Sequence, residues 1–299
     1  MTRRRRPAPS TPSAVRRAGL VVGLVVGLAA ALLVLAACGG SDRVRSATTG
    51  TTGSAPTTTG PGAAGTGPAT PSGTVAPDAP GVDLRVVFLD DGKLATAHRR
   101  VAPTQAVARA ALEQLLAGPT PAEQALGYGS AVRTGSVVTG VRIADGTATV
   151  TLDPPLAADA AALPARAQIV ATLTQFPTVR AVQFGTEGPP RTRADFRDLT
   201  PLVFPESVAP GDLVRSPVTV AGEANTFEAT VRIRIVGADG RVLADTFTTA
   251  TAGTGTWGTF SERVAFDPRG NRTGKVVVFW DSPKDGAPLD VVEIPVRFA

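Results

Sequence analysis

The 299-residue chain has one cysteine, one histidine, one methionine and one tyrosine. A single cysteine excludes any disulfide within the chain. One histidine and one cysteine also leave too few soft ligands for a zinc site, which draws several of its four ligands from these two residue types. A Ser-His-Asp triad would have to pass through His98, and no GxSxG elbow lies near it. Lysine occurs three times (Lys93, Lys275, Lys284) and asparagine twice (Asn225, Asn271), while arginine and alanine abound. That bias goes with GC-rich coding sequence and carries no mechanism. The 32 glycines and 26 prolines fall short of the ~25–30% at which a whole chain reads as low-complexity. A hydrophobic content of 43% is enough for a real core.

Acidic residues are missing from one place in particular. Residues 1–37 contain none, but hold Arg3, Arg4, Arg5, Arg6, Arg16 and Arg17. The formal charge of +5 comes from this segment: without its six arginines, 24 basic residues face 25 acidic ones, a net of −1. The rest of the chain has no basic block and no interleaving of aromatics with arginine, so nucleic-acid binding is not expected. Residues 18–37 form an uncharged apolar run behind the arginines. Such a run is either a membrane span or an export signal. Leu35-Ala36-Ala37-Cys38, followed by Gly39-Gly40-Ser41, decides for export. Small residues fit a narrow peptidase site, and the thiol of Cys38 supplies the nucleophile that accepts a diacylglyceryl group. The pattern resembles the bacterial lipobox. The expectation is a signal peptide over 1–37, lipidation at Cys38, and a mature chain anchored by lipid on the extracytoplasmic face of the cell membrane.

Residues 38–81 are rich in Gly, Thr, Ser, Pro and Ala, with Val44 and Val75 the large apolar residues among them. Such a segment cannot bury enough surface to offset its ordering entropy. It reads as a tether with a root-mean-square span of roughly 35–40 Å. Its Thr/Pro content suits either a bare linker or an O-glycosylated stalk.

Residues 82–190 read as one α+β domain. Val82–Leu89 is a β-branched run ended by the turn signal Asp90-Asp91-Gly92, and Lys93–Val101 follows as a second strand. A helix is expected from Thr104 as N-cap, with Val107, Ala111 and Leu115 on one face and Gly118-Pro119 as its stop. Val137–Ile143 and Thr147–Leu152 make a hairpin around Asp145-Gly146. Pro164 opens a second helix whose Ile169, Val170, Leu173 and Phe176 form a stripe, and Val179–Phe184 is the last strand. The order ββαββαβ predicts two helices on one sheet face.

In residues 200–299 the helical period disappears. Strands are expected at Val218–Ala221, Phe227–Val236, Val242–Ala250, Thr259–Phe266, Lys275–Trp280 and Val291–Phe298, with an edge strand near Leu202–Pro205. Val231, Ile233 and Ile235 alternate with Arg232 and Arg234, the pattern of a strand with one wet face. About seven strands in this length argue for an immunoglobulin-like sandwich.

Two stretches carry a family resemblance. Leu115-Leu116-Ala117-Gly118-Pro119-Thr120, Thr147–Asp153, the run Gln168–Pro177 and Val179–Phe184 resemble the GerMN domain of sporulation and spore germination. Pro210-Gly211, Ser216-Pro217, Val218–Gly222, Phe227-Glu228-Ala229, Asp239-Gly240, Trp257-Gly258 and Ser282-Pro283 are similar to the immunoglobulin-like Gmad2 domain that accompanies GerMN. The resemblance implies a GerMN-like α+β fold akin to ring-building envelope modules, followed by an all-β immunoglobulin-like sandwich. It supplies no catalytic residues.

The remaining site candidates are few. Gly253–Gly258 spells GxGxxG, but a strand follows it where a dinucleotide fingerprint needs a helix. Asp281, Asp285 and Asp290 lack EF-hand spacing, and Asp-Gly turn chemistry accounts for part of the cluster. No metal and no cofactor is expected. Trp257 and Trp280, with Phe260 and Phe279, are the candidates for a binding strip. Phe279 and Trp280 are adjacent, so in a strand they face opposite ways. The expected function is that of a non-catalytic envelope lipoprotein with a protein partner; the alternative is a peptidoglycan or cell-wall glycan binder. The sequence leaves the oligomeric state open.

Overall fold

The computed structural model describes residues 80–299, apart from 158 and 187. The expected signal peptide, Cys38 and the tether lie outside the described residues, except for 80 and 81. No helix among the described residues is long and apolar enough to cross a membrane.

The α+β domain opens with an antiparallel hairpin of β1 (Val82–Asp90) and β2 (Lys93–Val101). Its two-residue turn puts Asp91 and Gly92 at φ of 46° and 74°, the left-handed pair that matches strand twist. Then come α1 (Val107–Leu116), α2 (Pro121–Ala125), β3 (Val137–Ala144), β4 (Thr147–Asp153), α3 (Leu163–Leu173) and β5 (Ala181–Phe184). β3 pairs antiparallel with β4, and β4 pairs parallel with β5.

The expected single sheet is in fact two: β1-β2 stands apart from β3-β4-β5. The reason is chemical. The free edge of β1 is occupied by α3 side chains instead of a third strand. Thr172 Oγ1 accepts from the Val87 amide at 3.0 Å, and Gln168 Nε2 donates to the Val87 carbonyl at 3.2 Å. Beyond α3, Gln175 Oε1 accepts from the Arg85 amide at 2.8 Å and its Nε2 donates to the Arg85 carbonyl at 2.6 Å. Leu89 and Gly129 exchange both backbone bonds farther along. Positions 168, 172 and 175 share one helical face. α3 therefore has apolar Ile169, Val170 and Leu173 and polar Gln168 and Thr172 all fully buried.

Two local details differ from expectation. α1 starts at Val107 with Ala106 as its N-cap; Thr104 Oγ1 instead accepts from the Ala106 amide in a local turn. The short α2 was not expected. Thr120 caps it in a reciprocal capping box with Glu123, and Pro121 occupies its first turn.

The second domain is an immunoglobulin-like sandwich. Its strands are β6 (Val203–Pro205), β7 (Leu213–Val214), β8 (Val218–Ala224), β9 (Thr230–Gly237), β10 (Val242–Thr249), β11 (Gly258–Val264), β12 (Thr273–Asp281) and β13 (Pro288–Phe298). One sheet runs β10-β9-β12-β13-β7 and the other β11-β8-β6. Val231, Ile233 and Ile235 of β9 are fully buried between them with Val220, Phe260, Val276 and Val278. Arg232 and Arg234 face outward, where both pair with Asp245 of β10 at 2.8 Å. The alternation read from the sequence is the alternation of the strand.

Candidate functional site

The densest polar cluster forms where the two domains meet. β6 begins it. Val203 belongs to the core of the sandwich, while Phe204 is buried in the core of the α+β domain with Leu94, Val170 and Phe196. Consecutive strand residues point to opposite faces, so three residues of β6 join two cores. Gly222 permits the approach of β6: a Cβ there would sit 2.0 Å from the Phe204 carbonyl oxygen.

Charges surround this seam. Arg85 lies on β1, and Arg193 and Arg197 lie on either side of a kink at Phe196 in the 3-10 segment Arg193–Leu199. Glu206 follows β6, and Glu223 sits on β8. Glu206 Oε1 accepts from Arg193 Nη2 at 2.7 Å and lies 3.1 Å from Arg85 Nη2. Glu223 pairs with Arg193 at 3.3 Å and with Arg197 through its other oxygen. Burial works against the charge on Arg193, but Glu206 and Glu223 outweigh it and leave the guanidinium more basic than usual. Arg85 goes the other way: burial, with Arg193 nearby, leaves it less basic than usual despite Glu206 and Glu223. Thr96 Oγ1 of β2 adds a bond to the Pro205 carbonyl at 2.9 Å.

His98 belongs to the same junction. Its Nδ1 is 2.9 Å from Asp212 Oδ2 and its Nε2 is 3.2 Å from the Glu206 carbonyl oxygen. A neutral ring donates to one of these acceptors, an imidazolium to both. Either way the ring ties β2 to the sandwich.

The aromatic candidates are engaged. Arg197 stacks over the Trp257 ring, 4.3 Å from its centroid, which places that indole at the junction. Trp280 is half-buried against the sandwich core and donates Nε1–H to Asp290 Oδ2 at 2.6 Å. Phe260 is in the core, and Phe279 is buried on the outer sheet face with Arg234 5.2 Å from its ring centroid. Phe260 and Phe279 therefore cannot join an exposed strip, because packing and cation–π contact already take up their surfaces. Phe279 and Trp280 do face opposite ways.

The GxGxxG stretch connects β10 to β11. Gly253 and Gly258 lie there because backbone passes close: a Cβ would stand 2.5 Å from the Ala229 nitrogen and 2.2 Å from the Ala252 nitrogen, respectively. Asp281 pairs with Arg232 at 3.8 Å, Asp285 accepts from the Ala287 amide, and Asp290 serves Trp280. Among the described residues no group of three or more His, Cys, Asp or Glu is placed to hold a metal ion. Asp90 and Asp91 form the β1-β2 turn region.

A second buried pair stiffens the α+β domain. Arg99 of β2 meets Glu123 of α2 in a two-pronged bridge at 2.6 and 2.7 Å, both side chains buried. Burial alone would raise the Glu123 pKa, but the bonds from Arg99 and Thr120 hold it below the usual range. Burial pushes the Tyr128 phenol nearby well above its ordinary value, with Asp90 and Glu123 adding to the effect.

The junction was not visible in the sequence. Arg85 reads as a polar position in an apolar strand, and its carboxylate partner lies in the other domain. One partial signal existed: Thr192-x-x-Asp195 is a capping pattern that announces the turn carrying Arg193 and Arg197.

Residues 85–192 match the family model Germane, described as sporulation and spore germination. Residues 206–287 match Gmad2, the immunoglobulin-like domain of bacterial spore germination. Among solved structures, the tandem GerMN domains of the sporulation protein GerM from Bacillus subtilis are 14% identical, with a TM-score of 0.32, covering 62% of this chain and 62% of that one. The first GerMN domain of the same protein is 20% identical with a TM-score of 0.30, covering 38% of this chain and 95% of that one. The chain thus spans 62% of the length of the tandem-domain structure. No curated protein matches the chain.

Proposed function

The chain carries a GerMN domain followed by a Gmad2 domain of sporulation and spore germination, and from that pairing we propose that it works as a non-catalytic, lipid-anchored module on the outer face of the cell membrane, presenting two locked domains to a protein partner. The lock is the observation that carries the reading. Phe204 crosses into the first core, and five charged side chains close the seam around it. A body joined in this way holds its surfaces in fixed relation, as a docking surface made from both domains requires. Cys38 is the anchor in this account, and residues 38–81 set the standoff from the lipid. One acyl chain binds only marginally, so a diacylglyceryl group or more is needed.

The test is site-specific photo-cross-linking of the full-length protein in living cells, with the probe at Phe247 or Val291. Both are exposed on the sandwich, at 59% and 48%. The reading expects a discrete protein adduct from at least one position and none from buried Ile233. Adducts that run only with the peptidoglycan fraction would favour the wall-binding alternative.

A further inference from the structure

Within the arginine–glutamate cluster of the junction, leaving aside the His98–Asp212 pair, the charges do not balance. Arg85, Arg193 and Arg197 face Glu206 and Glu223, three guanidiniums against two carboxylates, all largely shielded from water. Arg85 has the poorest share. Its nearest approach to Glu206 is through Nη2, at 3.1 Å, while Arg193 holds the same oxygen at 2.7 Å. The Nε of Arg85 is buried and has no acceptor. A desolvated cation without a full partner is costly, and an anion at the accessible part of the Arg85 side chain, which is 17% exposed, would offset part of that cost.

There is room for one. A shallow, open cleft of about 460 Å³ lies on this cluster, with Arg85, Arg180 and Arg193 on the α+β side and Glu206, Glu223 and Thr259 on the sandwich side. Arg180 stands at the rim, exposed, its Nη2 donating to the Asp145 carbonyl at 3.1 Å. No carboxylate pairs with it among the described ion pairs.

We propose that this interdomain cleft binds the carboxylate of a small acid or peptide end, with Arg85 as its inner contact and Arg180 as its outer one. The charged residues lining the cleft, Arg85, Arg180 and Arg193 against Glu206 and Glu223, leave an excess of one positive charge, which a carboxylate neutralises and a dianion overshoots. Guanidinium forks match carboxylate geometry. Walls from both domains make the site depend on the locked arrangement. The proposal does not require the protein partner inferred above, and the two fail separately.

The test uses the full-length protein in detergent, titrated with N-acetylglycine at ionic strength held constant by chloride. The readouts are the thermal midpoint and tryptophan fluorescence, to which Trp257 beside Arg197 contributes. Both should change saturably, and N-acetylglycinamide, which lacks the charge, should leave both unchanged. Arg85→Gln should weaken binding about tenfold or more, the scale of a charged hydrogen bond. Arg180→Ala, at an exposed position, should weaken binding several-fold while leaving the ligand-free midpoint in place; it keeps the test sound if Arg85→Gln folds poorly. A response that never saturates, or that the amide reproduces, would overturn the proposal. So would wild-type binding by Arg180→Ala, or inorganic phosphate saturating at lower concentration than N-acetylglycine.

Discussion

Val203 and Phe204 are neighbours in the chain and face different hydrophobic cores. The first packs into the sandwich and the second into the α+β domain, so β6 is shared property of both. Phe204→Ala should cost about 3–5 kcal/mol, the range for emptying a buried phenylalanine site. It should also uncouple the domains, so that one denaturation transition becomes two. Equilibrium unfolding followed by tryptophan fluorescence, which reports the sandwich, and by far-ultraviolet dichroism, which reports both, would show the split.

Thr172→Val should leave the Val87 amide without an acceptor on the closed edge of β1. An unsatisfied buried donor costs about 1–3 kcal/mol. Thr172→Ser keeps the hydroxyl and should recover most of the loss. Hydrogen exchange at the Val87 amide would report the change directly, rising in the valine variant and staying close to wild type in the serine variant.

These bonds show why the sequence is easier to read for elements than for their roles. Asp91-Gly92 and Asp145-Gly146 announce hairpins because a positive φ is a local demand. The apolar residues of α3 announce a buried helix because their helical spacing is also a local signal. Nothing in the local pattern marks Gln168 and Thr172 as buried; they are buried because β1 supplies their partners from a distant part of the chain. Thr120-Pro121-Ala122-Glu123 did carry a local signal, a capping box, for the unexpected α2. For Trp257 and Trp280, both half-buried, nothing near them in sequence announces the Arg197 and Asp290 partners that the structure gives them.

Glu123 gives a pH dependence with a definite sign. Its folded pKa is depressed by the bonds from Arg99 and Thr120, against the upward pull of burial. A carboxylate of this kind adds stability that is fully present above its unfolded pKa of about 4.3 and is lost as pH falls through the lower folded value. Glu123→Ala leaves Arg99 buried without its partner and should cost about 3–5 kcal/mol at neutral pH. Its stability should then fall less steeply than wild type as pH drops from 5 to 3. Urea midpoints measured across that interval would check both points.

Cys38 is the one residue on which the proposed anchor rests. Cys38→Ser should abolish incorporation of a labelled fatty acid while leaving the folded domains intact. Labelling that persists in the variant would place the lipid elsewhere.

Differential scanning calorimetry of the full-length protein in detergent bears most directly on the locked pair of domains. The account predicts one cooperative transition at neutral pH, with equal calorimetric and van't Hoff enthalpies. Two resolved transitions in the wild type, each with the enthalpy of a single domain, would contradict it and return the domains to independent modules on a common string.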